Sequence, residues 1–192
     1  MLFLAEKNNV RILFDAGHGG DKPGAVYEGV VEKDINLAVV LAAGKMLRDY
    51  GHQVLFTRDH DTSLPNIMRR DMVNKFQPDL FVSVHCNASE KHRSSGVEAF
   101  YRDDRDYPLA NMVQQAIAAY TGMIDRGIFQ DVGDLKKQLT VLDNSAKTPS
   151  TLVEIGFLDN DENRMYITKN IATIAEALVD GILTYADQRR KA

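Results

Sequence analysis

Cys86 is the only cysteine among the 192 residues, so no disulfide can close within the chain and its core must hold the fold. A domain of this length buries most of the surface that its unfolded chain exposes, without help from bridges or a structural metal. A metal bound here would thus be free to serve function. Cys86 itself lies among apolar neighbours and reads as a small buried side chain. Long apolar runs are missing as well, which excludes membrane insertion by a spanning helix. The first residues, Met1-Leu2-Phe3-Leu4-Ala5-Glu6-Lys7, have neither the basic start nor the extended apolar stretch of an export signal. None is expected in the chain as written, although a chain trimmed of its signal would read the same. Positive charge is not in excess: the formal net charge of −4 argues against a general nucleic-acid binder. The basic run Arg189-Arg190-Lys191 ends a helical pattern, where cations meet the negative end of the helix dipole. There is no internal repeat, low-complexity tract or linker, so one domain spanning residues 1–192 is expected, with its core over about 10–187.

What the chain does have is a regular alternation of strand and helix. Residues 10–14 read as a buried strand, and Glu32 to Tyr50 as a helix whose apolar stripe includes Ile35, Val39, Ala43 and Leu47 and which Gly51 closes. Strands follow at 54–57 and 80–84, with a helix from Ile67 to Phe76 between them. Next come a more exposed strand at 96–101, a helix from Leu109 to Tyr120, a short strand candidate at 138–142, a strand at 151–155 and a closing helix from Ile171 to Ala186. The charge-rich stretch from Arg102 to Tyr107 reads as a solvated loop. Continuous apolar strands imply burial on both faces, and the alternation predicts an α/β fold: a twisted, mostly parallel β-sheet covered by helices on both faces.

Two histidines stand at the ends of apolar strands, in Asp15-Ala16-Gly17-His18-Gly19-Gly20 and in Ser83-Val84-His85-Cys86-Asn87. A parallel sheet brings such ends to one edge, where open α/β sheets place their ligands, and there His18 and His85 could share a metal ion. Glu32 opens the first helix; its simplest role is to stabilise that helix N-terminus, but the chain returning from the first strand also brings it toward His18 as an oxygen ligand. Glu154 is the odd residue of an apolar strand, and a buried carboxylate needs compensation. An arginine such as Arg69, Arg70 or Arg126 would provide it; so would a metal-activated water, for which the carboxylate would act as base and then as acid. Two histidines and a carboxylate with an open fourth position form the pattern of a hydrolytic zinc site. Asn87 fits either substrate positioning or a turn, while His52, His60 and His92 read as surface residues.

Five motifs, Asp15-Ala16-Gly17-His18-Gly19-Gly20, Glu32-Lys33-Asp34 with Asn36-Leu37, Ser83-Val84-His85-Cys86-Asn87-Ala88, Gly96-Val97-Glu98 and Val153-Glu154-Ile155-Gly156-Phe157-Leu158, closely resemble the zinc-dependent N-acetylmuramoyl-L-alanine amidases of peptidoglycan. They occur in the family's order across nearly the whole chain. The resemblance implies one Zn2+ ion held by His18, Glu32 and His85, with Glu154 as the catalytic carboxylate. It also implies peptidoglycan as substrate, cut at the amide between N-acetylmuramic acid and L-alanine. Ala16 and Cys86 replace residues that are often proline and alanine in the family, and neither change touches an implied ligand. Division-associated members carry a long inhibitory helix before the catalytic glutamate; the short stretch from Gly127 to Glu154 leaves no room for one, so an open site is expected. The enzyme is expected to act as a monomer on the cell wall or in the periplasm, as a compact phage lysin or as the catalytic domain of a bacterial wall enzyme. The alternatives are a non-catalytic wall-binding or regulatory module of the same fold, a phosphate-binding hydrolase using the Gly17–Gly20 loop, and an amidase acting on another peptide.

Overall fold

A computed structural model describes residues 9–89, 94–132, 134 and 138–191. Six strands form one sheet: β1 (Arg11–Ala16), β4 (Gln53–Phe56), β5 (Leu80–Asn87), β6 (Val97–Tyr101), β7 (Asp125–Gln130) and β8 (Ser150–Phe157). Their order is β4-β1-β5-β8-β6-β7. All neighbours are parallel except β6 and β8, so the sheet is mostly parallel as expected.

The period-two geometry of strands gives this sheet two unlike faces. Ile12, Phe14 and Ala16 of β1, Leu80, Val82 and Val84 of β5, and Val153 and Ile155 of β8 join the larger core. Helices α1 (Glu32–Asp49), α3 (Tyr107–Thr121) and α5 (Ile171–Lys191) cover it. The residues between them, Leu13, Phe81, Phe100 and Leu152, face a smaller cluster, closed by Val73 of α2 (Asn66–Phe76) and by Val141 and Leu142 of a single 3-10 turn, Thr140–Leu142. Asp15, Ser83, His85, Glu98 and Glu154 share the parity of this second set and so stand on the more thinly covered face. The ionisable interruptions of β1, β5, β6 and β8 therefore lie on one side of the sheet.

Helix α5 crosses α3 closely at Gly181, where a Cβ would lie 2.7 Å from Val113 Cα and 2.8 Å from Met112 O. Elsewhere several expectations are corrected. The strand candidate at 138–142 is the 3-10 turn, because Val141 and Leu142 both bury their side chains, which strand alternation does not allow when only one face is covered. The strand at 96–101 is buried rather than exposed, because Val97 and Ala99 enter the larger core and Phe100 the smaller cluster. Arg102 to Tyr107 is no simple solvated loop: Asp106 is fully buried and accepts from Ser150 N at 3.0 Å, while Arg102 forms a two-pronged bond to buried Asp131. Four elements add to those expected. A hairpin of β2 (Val26–Tyr27) and β3 (Val30–Val31) turns through Glu28 and Gly29, both at positive φ, as primed hairpin turns require. Strand β7 follows α3, and α4 (Asp161–Lys169) starts at Asn160, whose side chain accepts from Asn163 N.

Candidate metal centre

Two parallel strand ends and one helix start converge. His85 lies within β5, directly opposite Glu154 of β8, at a register irregularity that ends regular pairing. His18 follows β1 in a left-handed conformation, φ 62°. The β2-β3 hairpin sends the chain back so that Glu32, the first residue of α1, meets both histidines. His18 Nε2 lies 3.2 Å and His85 Nδ1 3.0 Å from the same oxygen, Glu32 Oε1. One donor atom from each residue falls within 4.8 Å of the others.

The surroundings fix this carboxylate. Asn36 Nδ2 and Cys86 N donate to Oε1, each at 3.1 Å, and Ala25 N donates to Oε2 at 2.8 Å. Burial alone would raise the Glu32 carboxyl, but the hydrogen bonds from His18 and His85 outweigh it and hold the group well below the usual carboxylate range. It is an anion at neutral pH. Two glycines make the approach possible: a Cβ on Gly17 would overlap the His85 ring, and one on Gly24 would meet the Glu32 carboxylate and lie 2.7 Å from His18 Cδ2.

Glu154 faces this cluster from the next strand. Its Oε2 is buried without a hydrogen-bond partner among the described residues. Burial, and then the negative charges of Glu32 and Glu98, push its carboxyl well above the ordinary value. None of the arginines considered as partners reaches it: Arg69 bonds Asp15, Arg70 bonds Asp71 and Arg126 bonds Glu98. A crowded set of carboxylates with two imidazoles, one carboxylate oxygen left unsatisfied, is what a cation would compensate. The residues present thus fit a bound metal ion, with His18, Glu32 and His85 as the groups that could hold it. A cavity of about 300 Å3 opens beside them, lined among others by Asn66, His85, Phe100, Leu139, Val141 and Glu154.

The remaining candidates have other surroundings. Asn87 donates from Nδ2 to Glu98 Oε1 at 2.7 Å and accepts from Ala88 N at 2.8 Å, so its amide is engaged in the turn that leaves β5. Cys86 is buried as expected, and burial first, then Glu32 and Glu154, keeps its thiol protonated. His60 is exposed and bonds Asp59; His52 is half-buried, accepting from Val10 N; His92 lies outside the described residues. The Gly17–Gly20 loop does not offer a phosphate cradle, because the N–H groups of Gly17, Gly19 and Gly20 donate to Val84 O, Lys22 O and Asp61 Oδ1. Sequence reading assigned no role to Asn36 or Glu98, although both sit inside the quoted motifs, nor to Arg58. The one available signal was a polar residue placed where the helix or strand pattern calls for burial.

Comparison with known proteins agrees with this geometry. Residues 12–184 match the family described as N-acetylmuramoyl-L-alanine amidase. The endolysin of Bacillus phage SPP1 is 32% identical, over 94% of this chain and 67% of that protein. The N-acetylmuramoyl-L-alanine amidase LytC of Bacillus subtilis is 30% identical over 91% of this chain, which spans only 35% of LytC. Among solved structures, an N-acetylmuramoyl-L-alanine amidase from Clostridium difficile superposes with a TM-score of 0.85 at 31% identity, covering 94% of this chain and 98% of that one. On its fold, its cluster of candidate metal ligands and a match to nearly its whole length, the chain belongs to the N-acetylmuramoyl-L-alanine amidase family.

Proposed function

We propose that this chain is a single-domain, monomeric amidase that hydrolyses the amide between the lactyl group of N-acetylmuramic acid and L-alanine in peptidoglycan. The observation that carries the reading is the meeting of His18, Glu32 and His85 opposite a glutamate whose buried oxygen has no partner. In this reading His18, Glu32 and His85 hold one Zn2+ ion. When bound, zinc supplies Lewis-acid chemistry toward the scissile carbonyl and the attacking water. Glu154 accepts the proton of that water and passes it to the departing amine of L-alanine as the C–N bond breaks. No covalent enzyme intermediate is needed. Asn36 and the Cys86 N–H orient the Glu32 carboxylate, and Asn87 fixes Glu98 at the substrate end of β5.

The site is open: the His18 side chain is 33% exposed, and among the described residues between Gly127 and Glu154 the sole helical element is the 3-10 turn. The purified protein alone should therefore digest peptidoglycan, as a wall-acting lysin or autolysin does. Mass analysis of the products should show free stem peptides beginning at L-alanine, and none after treatment with a chelator. Cleavage between sugars or within the stem would refute the assigned bond; digestion unaffected by chelation would refute the metal; dependence on an added activator would refute the open site.

A further inference from the structure

The loop that presents His18 is bonded from beneath by two buried arginines that the reaction does not use. Arg58, on the segment after β4, donates from Nε to Ala16 O at 2.9 Å and from Nη2 to Gly17 O at 3.1 Å. The same Nη2 donates to Lys33 O at 2.8 Å, one residue past Glu32. Arg69, on α2, donates from Nη1 to Ala16 O and from Nη2 to His18 O, each at 2.6 Å. Three consecutive carbonyls thus accept from guanidinium groups, and Asp15, bonded to Arg69 at 2.5 Å, supplies the opposing charge. Both arginines are nearly inaccessible, Arg58 at 3% and Arg69 at 1%.

This placement answers a specific difficulty. His18 is not a glycine, yet it holds φ 62°, a conformation that L side chains adopt reluctantly and keep only where their surroundings impose it. The bond from Arg69 to the His18 carbonyl fixes the peptide plane on one side of that strained residue, and the bonds to Ala16 and Gly17 fix the approach. Arg58 adds a second constraint, because one guanidinium spans the loop of His18 and the first turn of α1. The distance between two groups that would share one ion is then constrained by a side chain touching neither, together with Asn36, whose Nδ2 donates to Gly17 O at 3.3 Å and to Glu32 Oε1 at 3.1 Å. We propose that Arg58 is a positioning residue that pre-forms the metal site by fixing the His18 loop, whose carbonyls Arg69 also bonds, to the helix that carries Glu32.

The proposal rests on His18 and Glu32 being metal ligands, and its test separates the two ideas. Zn2+ affinity is measured by competition with a chromophoric chelator, and the melting temperature of the metal-free protein is recorded alongside, for wild type, Arg58→Met, Arg58→Lys, His18→Ala and Leu47→Ala. Leu47 is a core residue near the far end of α1, so its truncation lowers stability without touching the loop. Arg58→Met should weaken Zn2+ binding by about 10–100-fold, the range typical for residues that orient ligands, with Arg58→Lys intermediate and Leu47→Ala within twofold of wild type. Should Arg58→Met fail to fold, Arg58→Lys, which keeps the charge but not the fork, decides alone. Wild-type affinity in a folded Arg58 variant, or an equal loss in Leu47→Ala, would overturn the proposal. Unchanged affinity in His18→Ala would instead overturn the ligand assignment.

Discussion

At the scale of residues, the site divides its labour between groups that would hold the ion and one that would carry protons. His18, Glu32 and His85 face one another through a shared oxygen, whereas Glu154 stands opposite with an unsatisfied one. The two roles fail differently. Glu154→Gln keeps the side chain's size and removes its proton-carrying capacity, so kcat should fall by about 10^2–10^4-fold with Zn2+ content unchanged. His18→Ala should lose both zinc and turnover. Metal analysis of the two variants beside their rates checks this, and a Glu154→Gln enzyme with near-normal kcat would remove Glu154 from the reaction.

Three of the four candidate site residues were legible in sequence because each breaks a local pattern: His18 and His85 end apolar strands, and Glu154 interrupts one, whereas Glu32, at the start of a helix, breaks none. Asp15 and Ser83 break the same patterns, but their bonds to Arg69 and to each other link residues far apart in the chain. No local spacing encodes such a pairing. Arg69, expected from sequence as a possible partner of Glu154, is instead engaged by Asp15.

At the scale of elements, the strongest periodic segments, α1, α3 and α5, lie within a few residues of their expected bounds because each presents a continuous apolar stripe. Strand β7 was not legible, since Asp125-Arg126-Gly127 opens it with no apolar residue and its partner β6 supplies the pairing. Helix α4 did have a signal in Asn160-Asp161-Glu162, a capping residue followed by acids in the first turn. How closely two helices approach is less visible in sequence, and Gly181 is the case in point. Alanine there would gain about 1 kcal/mol of helix propensity over glycine, yet its Cβ would press on the backbone of α3, and overpacking costs about 1–3 kcal/mol. We expect Gly181→Ala to be net destabilising by up to about 2 kcal/mol, the difference between those terms. Urea denaturation gives the sign directly: a raised midpoint would mean that α3 and α5 separate at little cost.

At the scale of the whole molecule, Asp15 joins parts that are distant in the chain. It accepts from Thr57 after β4, from Ser83 on β5 and from Arg69 on α2. Burial opposes its charge, but Arg69 and then the two hydroxyls more than compensate, and its carboxyl is lowered from the ordinary value. A carboxyl lowered on folding adds stability that is present above its unfolded value, near 4, and lost as pH falls through the folded one. Asp15→Asn should therefore cost about 3–5 kcal/mol at pH 7, the scale of a broken buried ion pair, and the gap to wild type should close as pH drops below about 4. Denaturation of both proteins in chelator across that range tests it; a gap independent of pH would show that the charge of Asp15 contributes nothing.

The unlike faces of the sheet also bear on how such an enzyme diversifies. Three long helices are committed to one side, while among the described residues the side bearing His85 and Glu154 is covered by α2 and the 3-10 turn. Connections on that second side can be lengthened, shortened or exchanged without repacking the main core. Folding and substrate selection are therefore largely separable tasks in this architecture, and grafting foreign loops between β7 and β8 is the natural route to retarget it to walls of different chemistry.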